Sequence, residues 1–327
     1  MLAFQMRIEY FTLFFLILSF NSLSQKKTFK EYNQKIGGID LNLKMVPVNG
    51  GEFSMGNPEF NSDEFSDNGP VHQVYLDSFW IGKYEITWDI YHLFMSREID
   101  EKQIQMDVDN EINKNVDAVS SATPPYVEMS FGMGTDGYPA ISMTQYAASK
   151  FCEWLSAMTG NYYRLPTEAE WEFACRSGSV GSYSFGELEK INEYAWYIKN
   201  SDGKYQKVGS KKPNSLGIHD MHGNVSEWTL DEYNPKGYYL ENDSIIKNPI
   251  KFAKKLYPRV VRGGSFMDDA DKLKSYSRLA SNKKWKKQDP QIPRSLWWHT
   301  DAQFLGFRIV RPYKTPSRFE QDKYWLK

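Results

Sequence analysis

The stretch Tyr-Arg-Leu-Pro-Thr-Glu-Ala-Glu-Trp, residues 163–171, decides how this chain folds locally. Thr167 is followed three residues later by Glu170, which is the pattern of a capping box. The threonine hydroxyl can accept the Glu170 backbone N–H, while the Glu170 carboxylate can accept the Thr167 backbone N–H. The pattern predicts a helix that begins after Thr167 and ends near Gly178. Taken alone, the stretch indicates a well-capped structural helix.

Length, charge and aromatic content set limits on the rest of the chain. Its 327 residues are enough for one large domain or two small ones. The formal net charge is −1, so the chain has no basic footprint for nucleic acid, and we expect no nucleic-acid partner. Aromatic residues make up 16%, which suits a loop-rich fold because Tyr and Trp fill a core and hydrogen-bond at its margin.

The N-terminus has the features of a secretory signal. Arg7 precedes the apolar run Phe-Thr-Leu-Phe-Phe-Leu-Ile-Leu-Ser-Phe at residues 11–20, and a Ser-Leu-Ser tripeptide stands before Gln25. The run is too short to span a bilayer comfortably. We therefore predict a signal peptide over residues 1–24 and an exported protein, periplasmic or secreted; an uncleaved membrane anchor is the alternative.

The two cysteines, Cys152 and Cys175, both stand in helical patterns. Cys175 falls in the helix that Thr167 starts, and Cys152 falls in a helical pattern at residues 147–155. Free cysteines in such positions behave as small buried apolar residues. We predict two free thiols, with a mutual disulfide as the alternative because two cysteines in an exported chain can pair.

Strand and turn signals dominate the segment before the first helix. A glycine pair at residues 50–51 marks a turn, and Val-Tyr-Leu-Asp-Ser-Phe-Trp-Ile at residues 74–81 has the composition of a strand. Thr87 can cap a short helix that runs through Phe94. Residues 247–261 are basic and apolar and should end in a strand.

The sequence of residues 164–172 resembles the signature of the formylglycine-generating enzymes, also called sulfatase-modifying factors. Further matches occur in the family's order at residues 45–56, 70–72, 81–87, 214–228, 262–266 and 305–308. The resemblance implies an α+β fold: a single loop-rich domain of the formylglycine-generating enzyme type, C-type-lectin-like.

The resemblance also divides the chain. After the signal peptide it implies an N-terminal arm over residues 25–42, a sulfatase-modifying-factor domain over residues 43–313 and a C-terminal tail over residues 314–327. Residues 97–137 are an insertion relative to shorter family members, and their proline and glycine content predicts a loop. This loop is either simply solvated or shapes a binding face.

In that family, two cysteines after the Gly-Gly-Ser motif bind copper(I) and oxidise a sulfatase cysteine to formylglycine with oxygen. Counting from Arg262 places Asp268 and Leu273 at those positions, and no cysteine follows Cys175. A carboxylate and an alkyl chain cannot hold copper(I), because this soft ion prefers thiolates. We therefore expect no copper and assign no catalytic residue.

The animal enzymes of the family pair their two matching cysteines with cysteines near the C-terminus. Here those partner positions hold Ile309 and Arg278 or a neighbour. The resemblance therefore also favours free thiols.

The family's structural calcium site maps onto residues 220–227. Its ligands carry over to Asp220, Gly223, Val225 and Glu227. Carboxylate and backbone carbonyl oxygens are the ligands that calcium prefers, and two carboxylates in one tight turn would otherwise repel each other. The alternative is a metal-free turn in which Glu227 accepts backbone N–H groups. Asp202 is a candidate for a second family calcium site.

Residues 292–301, Ile-Pro-Arg-Ser-Leu-Trp-Trp-His-Thr-Asp, fall in the region that borders the family's substrate groove. The candidate groove residues are Arg294, Trp297, Trp298 and His299, which could stack on and hydrogen-bond to a ligand. Alternation along a strand would bury one of the two adjacent tryptophans. We expect at least one of them to face the groove; the alternative is that both belong to the core.

Two classes of function follow. The first is an exported protein without oxidase activity that binds a peptide, glycan or protein and associates with a cell-envelope complex, as related domains do in gliding-motility and secretion-apparatus lipoproteins. The second is an oxidoreductase that modifies a sulfatase or another protein cysteine by an unrecognised route. A neighbouring sulfatase gene would favour the second.

Overall fold

The computed structural model describes residues 29–36, 39–61, 66–97, 99–100, 119, 128–238, 245–286 and 301–325. The strands are β1 (Tyr32–Ile36), β2 (Ile39–Val48), β3 (Gly51–Met55), β4 (His72–Leu76), β5 (Phe79–Gly82), β6 (Ser226–Glu232), β7 (Ile246–Lys247), β8 (Arg259–Arg262), β9 (Arg278–Ala280), β10 (Leu305–Gly306) and β11 (Val310–Pro312). The α-helices are α1 (Trp88–Ser96), α2 (Gln145–Thr159), α3 (Glu168–Arg176), α4 (Ile191–Tyr194) and α5 (Arg318–Tyr324). Short 3-10 helices occur at Leu188–Lys190, Ala270–Leu273 and Lys283–Lys286.

Within these ranges the strands form three small sheets. The first has the order β1-β2-β5-β11 and is antiparallel throughout. The second has the order β10-β6-β8-β9, in which β10 runs parallel to β6. The third has the order β3-β4-β7, in which β7 runs parallel to β4. The predicted strand at the end of residues 247–261 is confirmed as β8.

The capping box is confirmed and fixes the start of α3. The Thr167 hydroxyl accepts the Glu170 N–H at 3.1 Å, and Glu170 Oε2 accepts the Thr167 N–H at 2.9 Å. The helix ends at Ser177, which adopts the left-handed conformation just before Gly178. The helix packs on β3, β4, β6 and β8, and its residue Trp171 belongs to a buried core cluster. The first sequence motif is thereby held in the buried core.

The structure divides the single strand predicted over residues 74–81. The chain leaves one sheet after β4 and enters another at β5. The prediction of one continuous strand is therefore wrong. Asp77 and Ser78 make the break with polar contacts: the Asp77 N–H donates to Asn248 Oδ1 at 2.9 Å, and Ser78 Oγ accepts the Gly50 N–H at 2.9 Å.

Both cysteines are free and fully buried, as predicted. Cys152 lies on α2 in the larger core cluster, together with Phe151, Trp154 and Phe307. Cys175 lies on α3 in the separate cluster around Trp171. The two thiols therefore belong to different parts of the core.

The predicted arm and tail both contribute to the fold where they are described. The arm supplies β1 and the start of β2, and Phe29 packs edge-on against Trp80 with ring centroids 4.7 Å apart. In the tail, Trp325 follows α5 and donates its indole N–H to the Tyr163 carbonyl at 2.8 Å. The predicted signal peptide and most of the predicted insertion lie outside the described residues. No helix within the described ranges combines the length and the apolar composition that a bilayer crossing requires.

Candidate functional site

The two positions that the family uses for copper have different surroundings. Asp268 lies in a turn, where its Oδ2 accepts both the backbone N–H and the hydroxyl of Ser265 at 2.9 and 2.6 Å. Leu273 is 0% exposed and packs in a small apolar cluster with Tyr183, Ile191 and Tyr197. One position is therefore a hydrogen-bonded turn residue, and the other is a core residue.

Two motif glycines leave the space that the Leu273 side chain fills. A Cβ atom on Gly264 would lie 2.7 Å from one Leu273 methyl, and a Cβ on Gly223 would lie 3.0 Å from the other. Both glycines also have positive φ angles, +66° and +96°, which other residues rarely adopt. The glycines of the two family motifs thus pack against a leucine side chain at a position where the family has a cysteine.

Cys175 lies beside a histidine, but both side chains are buried and uncharged. Its Sγ is 3.6 Å from His222 Nε2. His222 Nδ1 lies 2.7 Å from the Leu273 carbonyl, which can only accept, so Nδ1 carries the proton and Nε2 accepts from Ser184 Oγ at 2.9 Å. Burial raises the pKa of Cys175 to about 12 and lowers that of His222 to about 4. This arrangement does not produce a thiolate, the form that attacks substrates and binds metals.

A buried ion pair joins the sequence motifs. Arg308 donates from Nε and Nη2 to the two oxygens of Glu227, both at 2.6 Å, and the Trp171 indole N–H donates to the same carboxylate at 2.7 Å. Arg308 also donates to the Gly82 and His219 carbonyls at 2.9 and 3.0 Å. Residues from four motifs therefore meet at Glu227 and Arg308, which explains why the motifs occur together.

The predicted calcium ligands lie next to this ion pair. Asp220 is buried; its Oδ2 accepts the Gly209 N–H at 2.6 Å, whereas its Oδ1 has no hydrogen-bond partner in the described structure. Burial raises the pKa of Asp220 to about 6, and the neighbouring Glu85, itself buried, has its pKa raised by burial and by the Asp220 charge. An open carboxylate oxygen in this turn fits a calcium ion.

The other predicted calcium ligands are partly occupied by contacts within the protein. The Glu227 carboxylate is engaged by Arg308 and Trp171, while Gly223 stands where a Cβ would come within 2.2 Å of a backbone carbonyl. Across the described ranges, no three His, Cys, Asp or Glu side chains come together as a metal site, so calcium would also need backbone oxygens. Asp202 is an exposed turn residue. Calcium at Asp220, Gly223, Val225 and Glu227 stays a prediction.

The predicted groove residues Arg294, Trp297, Trp298 and His299 lie outside the described residues. The described part of the chain forms a half-open cavity of about 570 Å³ between the start of α3 and the segment around β7. Its lining includes Glu168, Asp231, Tyr238 and Arg278. This cavity could not be predicted from the sequence, because these residues are far apart in the chain and three of them belong to no motif.

Charged groups in this cavity are held rigidly. Arg278 donates to both oxygens of Glu168, from Nε at 2.6 Å and from Nη2 at 3.0 Å, and its guanidinium lies 4.7 Å from the Tyr238 ring centroid. Asp231 accepts the backbone N–H groups of Glu168 and Lys251 at 2.7 and 2.9 Å. Burial, and then the charge of Glu168, raise the pKa of Asp231 to about 7. The cavity therefore combines fixed polar groups with an aromatic wall.

Residues 39–312 match the family model of the sulfatase-modifying factor enzyme 1-like domain. The chain belongs to this family. Its relatives include a protein from Chlamydia pneumoniae named serine/threonine-protein kinase pkn1, which is 31% identical over 239 residues, or 73% of this chain and 35% of the relative. The chain thus spans about a third of the length of that chlamydial relative.

Two further relatives bear on activity. The formylglycine-generating enzyme of Mycobacterium tuberculosis is 26% identical over 312 residues, covering 82% of this chain and 97% of the relative. The inactive C-alpha-formylglycine-generating enzyme 2 of Bos taurus is 25% identical over 268 residues, covering 72% of this chain and 80% of the relative. The family therefore contains members named for the activity and members named as inactive.

A solved structure confirms the expected fold class. Treponema denticola variable protein 1 superposes with a TM-score of 0.61 at 22% identity, covering 86% of this chain and 99% of that chain. At this level of identity the likeness concerns the fold alone.

Proposed function

We propose that this protein is an exported member of the sulfatase-modifying-factor family that binds a peptide, glycan or protein and does not oxidise cysteine with copper. The observation that carries the proposal is Leu273, which is fully buried where the family places a copper-binding thiol. A position that binds a metal and turns over a substrate has to be reachable from solvent, and this one is not.

The two cysteines that the chain does contain cannot replace the missing copper-binding cysteines. Copper(I) needs soft ligands, and Asp268 offers a hard carboxylate that already accepts two hydrogen bonds from Ser265. Burial raises the pKa of both Cys152 and Cys175, so neither thiol ionises readily. The two thiols also lie in different core clusters. A two-thiolate site would require the core to rearrange.

A binding role agrees with the features that the fold keeps. The cavity beside Glu168 and Arg278, about 570 Å³, is within the size range of pockets that accept small ligands or side chains. Its fixed charges and the Tyr238 ring suit a ligand with polar groups and a flat or apolar face. The predicted groove residues Arg294, Trp297, Trp298 and His299 remain candidate ligand contacts, and association with a cell-envelope complex is part of the proposal.

A copper titration tests the proposal. Purified protein in reducing buffer is mixed with the coloured complex of copper(I) and a chelator, and the formylglycine-generating enzyme of Mycobacterium tuberculosis serves as the positive control. We expect this protein to leave the colour unchanged while the control removes it. Stoichiometric removal of copper by this protein would contradict the proposal and favour the oxidoreductase alternative.

A further inference from the structure

Strand β3 lies at the edge of its sheet, with β4 on one side and no described strand on the other. The Tyr75 carbonyl of β4 faces β7, because it accepts the Asn248 N–H at 2.8 Å. Backbone groups along a strand alternate in direction, so those of Val74 face β3, where Phe53 is the paired residue. Phe53 thus uses its N–H and C=O groups within the sheet.

Two residues of β3 present their backbone to the open side of the strand. The N–H and C=O groups of Glu52 and Ser54 point away from β4 and have no hydrogen-bond partner among the described residues. The next residue of the same direction is Gly56, whose N–H donates to Glu172 Oε1 at 2.9 Å and whose carbonyl accepts Arg176 Nη2 at 2.7 Å. The open edge therefore ends against helix α3.

A half-open, mostly apolar cavity of about 570 Å³ lies along this edge. It shares no lining residue with the cavity beside Arg278. Phe53 and Phe173 form its wall, with ring centroids 5.1 Å apart. Val180 and Val71 also line it, and they are 83% and 38% exposed. Exposed apolar side chains grouped around a cavity are typical of a surface that binds another molecule.

We propose that the open edge of β3 binds an extended peptide segment of a protein partner, which adds to the sheet as a strand. The free backbone groups of Glu52 and Ser54 match those of an added antiparallel strand, and such a ladder needs an extended backbone, which a helix or a glycan lacks. This surface is separate from the cavity beside Arg278 and does not depend on copper, so the proposal goes beyond the proposed function.

The side chains of β3 indicate which peptide fits. A side chain opposite Phe53 points toward α3, as Phe53 does, so the cavity takes a large apolar residue there. The following residue of the peptide lies opposite the exposed Glu52 carboxylate, which favours Lys or Arg. A second copy of this chain fits less well, because pairing of two β3 strands brings two Glu52 carboxylates onto one short ladder, where like charges repel.

Fluorescence polarisation with a labelled peptide tests the proposal on the full mature protein. The probe is the synthetic peptide Thr-Val-Ser-Leu-Lys-Val-Thr, which presents Leu to the cavity and Lys to Glu52. Ser54→Pro removes one outward N–H and leaves the bonds to β4 in place, since proline is tolerated at an open edge. Ser54→Ala is the matched control, because it removes the same hydroxyl and keeps the N–H.

Two further variants test the side-chain contacts. Val180→Asp puts a charge into the cavity at an exposed position, where the substitution leaves the fold intact. We expect Ser54→Ala to bind like the wild type, and Ser54→Pro and Val180→Asp to bind at least about tenfold more weakly, through loss of a donor and of an apolar contact. Glu52→Lys should reverse the preference, so that the peptide with Glu in place of Lys binds better.

Each of three results would overturn the proposal. The first is a wild type that does not bind the peptide. The second is binding that neither Ser54→Pro nor Val180→Asp weakens, which would assign the peptide to another surface. The third is a wild type and Ser54→Ala that dimerise in solution while Ser54→Pro is monomeric, which would make a second copy the occupant. If Ser54→Pro melts well below Ser54→Ala, Val180→Asp alone decides.

Discussion

Arg308 and Glu227 are fully buried, and each satisfies the charge of the other. Truncation of one partner leaves a buried charge without compensation, so Arg308→Ala should lower the free energy of unfolding by about 3–5 kcal/mol. Urea unfolding followed by tryptophan fluorescence measures the change. Lys212→Ala is the matched control, since Lys212 and Glu193 form an exposed pair that should contribute nothing measurable. A similar small effect for both variants would contradict the role assigned to Arg308.

Asp231 should make stability depend on pH. Its pKa is raised to about 7 in the folded protein, against about 3.9 in an unfolded chain. Between these values the folded state keeps a proton that the unfolded chain releases, so the stabilisation is complete below about pH 4 and is lost as the pH rises to about 7. Asp231→Asn cannot titrate. The stability of the wild type relative to Asp231→Asn should therefore fall from about pH 4 to about pH 7 and then level off. Urea unfolding across this range measures it, and a pH-independent difference would argue against the raised pKa.

The α3 capping box can be tested against a second one in the same chain. Ser317 and Glu320 form a capping box at the start of α5, but Ser317 is exposed whereas Thr167 is buried. Thr167→Ala should destabilise the protein by about 1 kcal/mol, the usual cost of losing an N-cap. Ser317→Ala should have a smaller effect on global unfolding, because a surface helix end can fray while the core stays intact. Chemical denaturation compares them, and equal costs would show that burial of the cap is unimportant.

Local signals explain why some elements were predictable and others were not. The capping box at Thr167 depends on residues within one helical turn, so the sequence alone is sufficient to locate it. Thr87 also precedes a helix, as predicted, yet its side chain makes no capping hydrogen bond. The break between β4 and β5 depends on Asn248 and Gly50, which come from distant parts of the chain. No pattern within residues 74–81 records those contacts.

The sequence predicted which residues occupy the candidate site but not which groups surround them. Counting along the motifs located Asp268 and Leu273, but only the structure reveals that Gly223 and Gly264 close around the leucine. The buried carboxyl groups of Glu85 and Asp220, whose pKa values are both raised by burial, likewise come from separate motifs. The cavity beside Arg278 is assembled from segments more than a hundred residues apart in sequence. Such sites result from tertiary packing, which motif spacing does not encode.

The whole molecule retains the family fold, and we propose that it lacks the family's copper chemistry. The protein is incubated with copper, oxygen and a peptide that contains Cys-x-Pro-x-Arg, and the peptide is then analysed by mass spectrometry. The formylglycine-generating enzyme of Mycobacterium tuberculosis serves as the positive control. We predict conversion of cysteine to the aldehyde no faster than in the sample without protein, because Leu273 closes one thiol position and Asp268 replaces the other. Conversion above that background would show that the protein oxidises cysteine with copper and would contradict the proposed function.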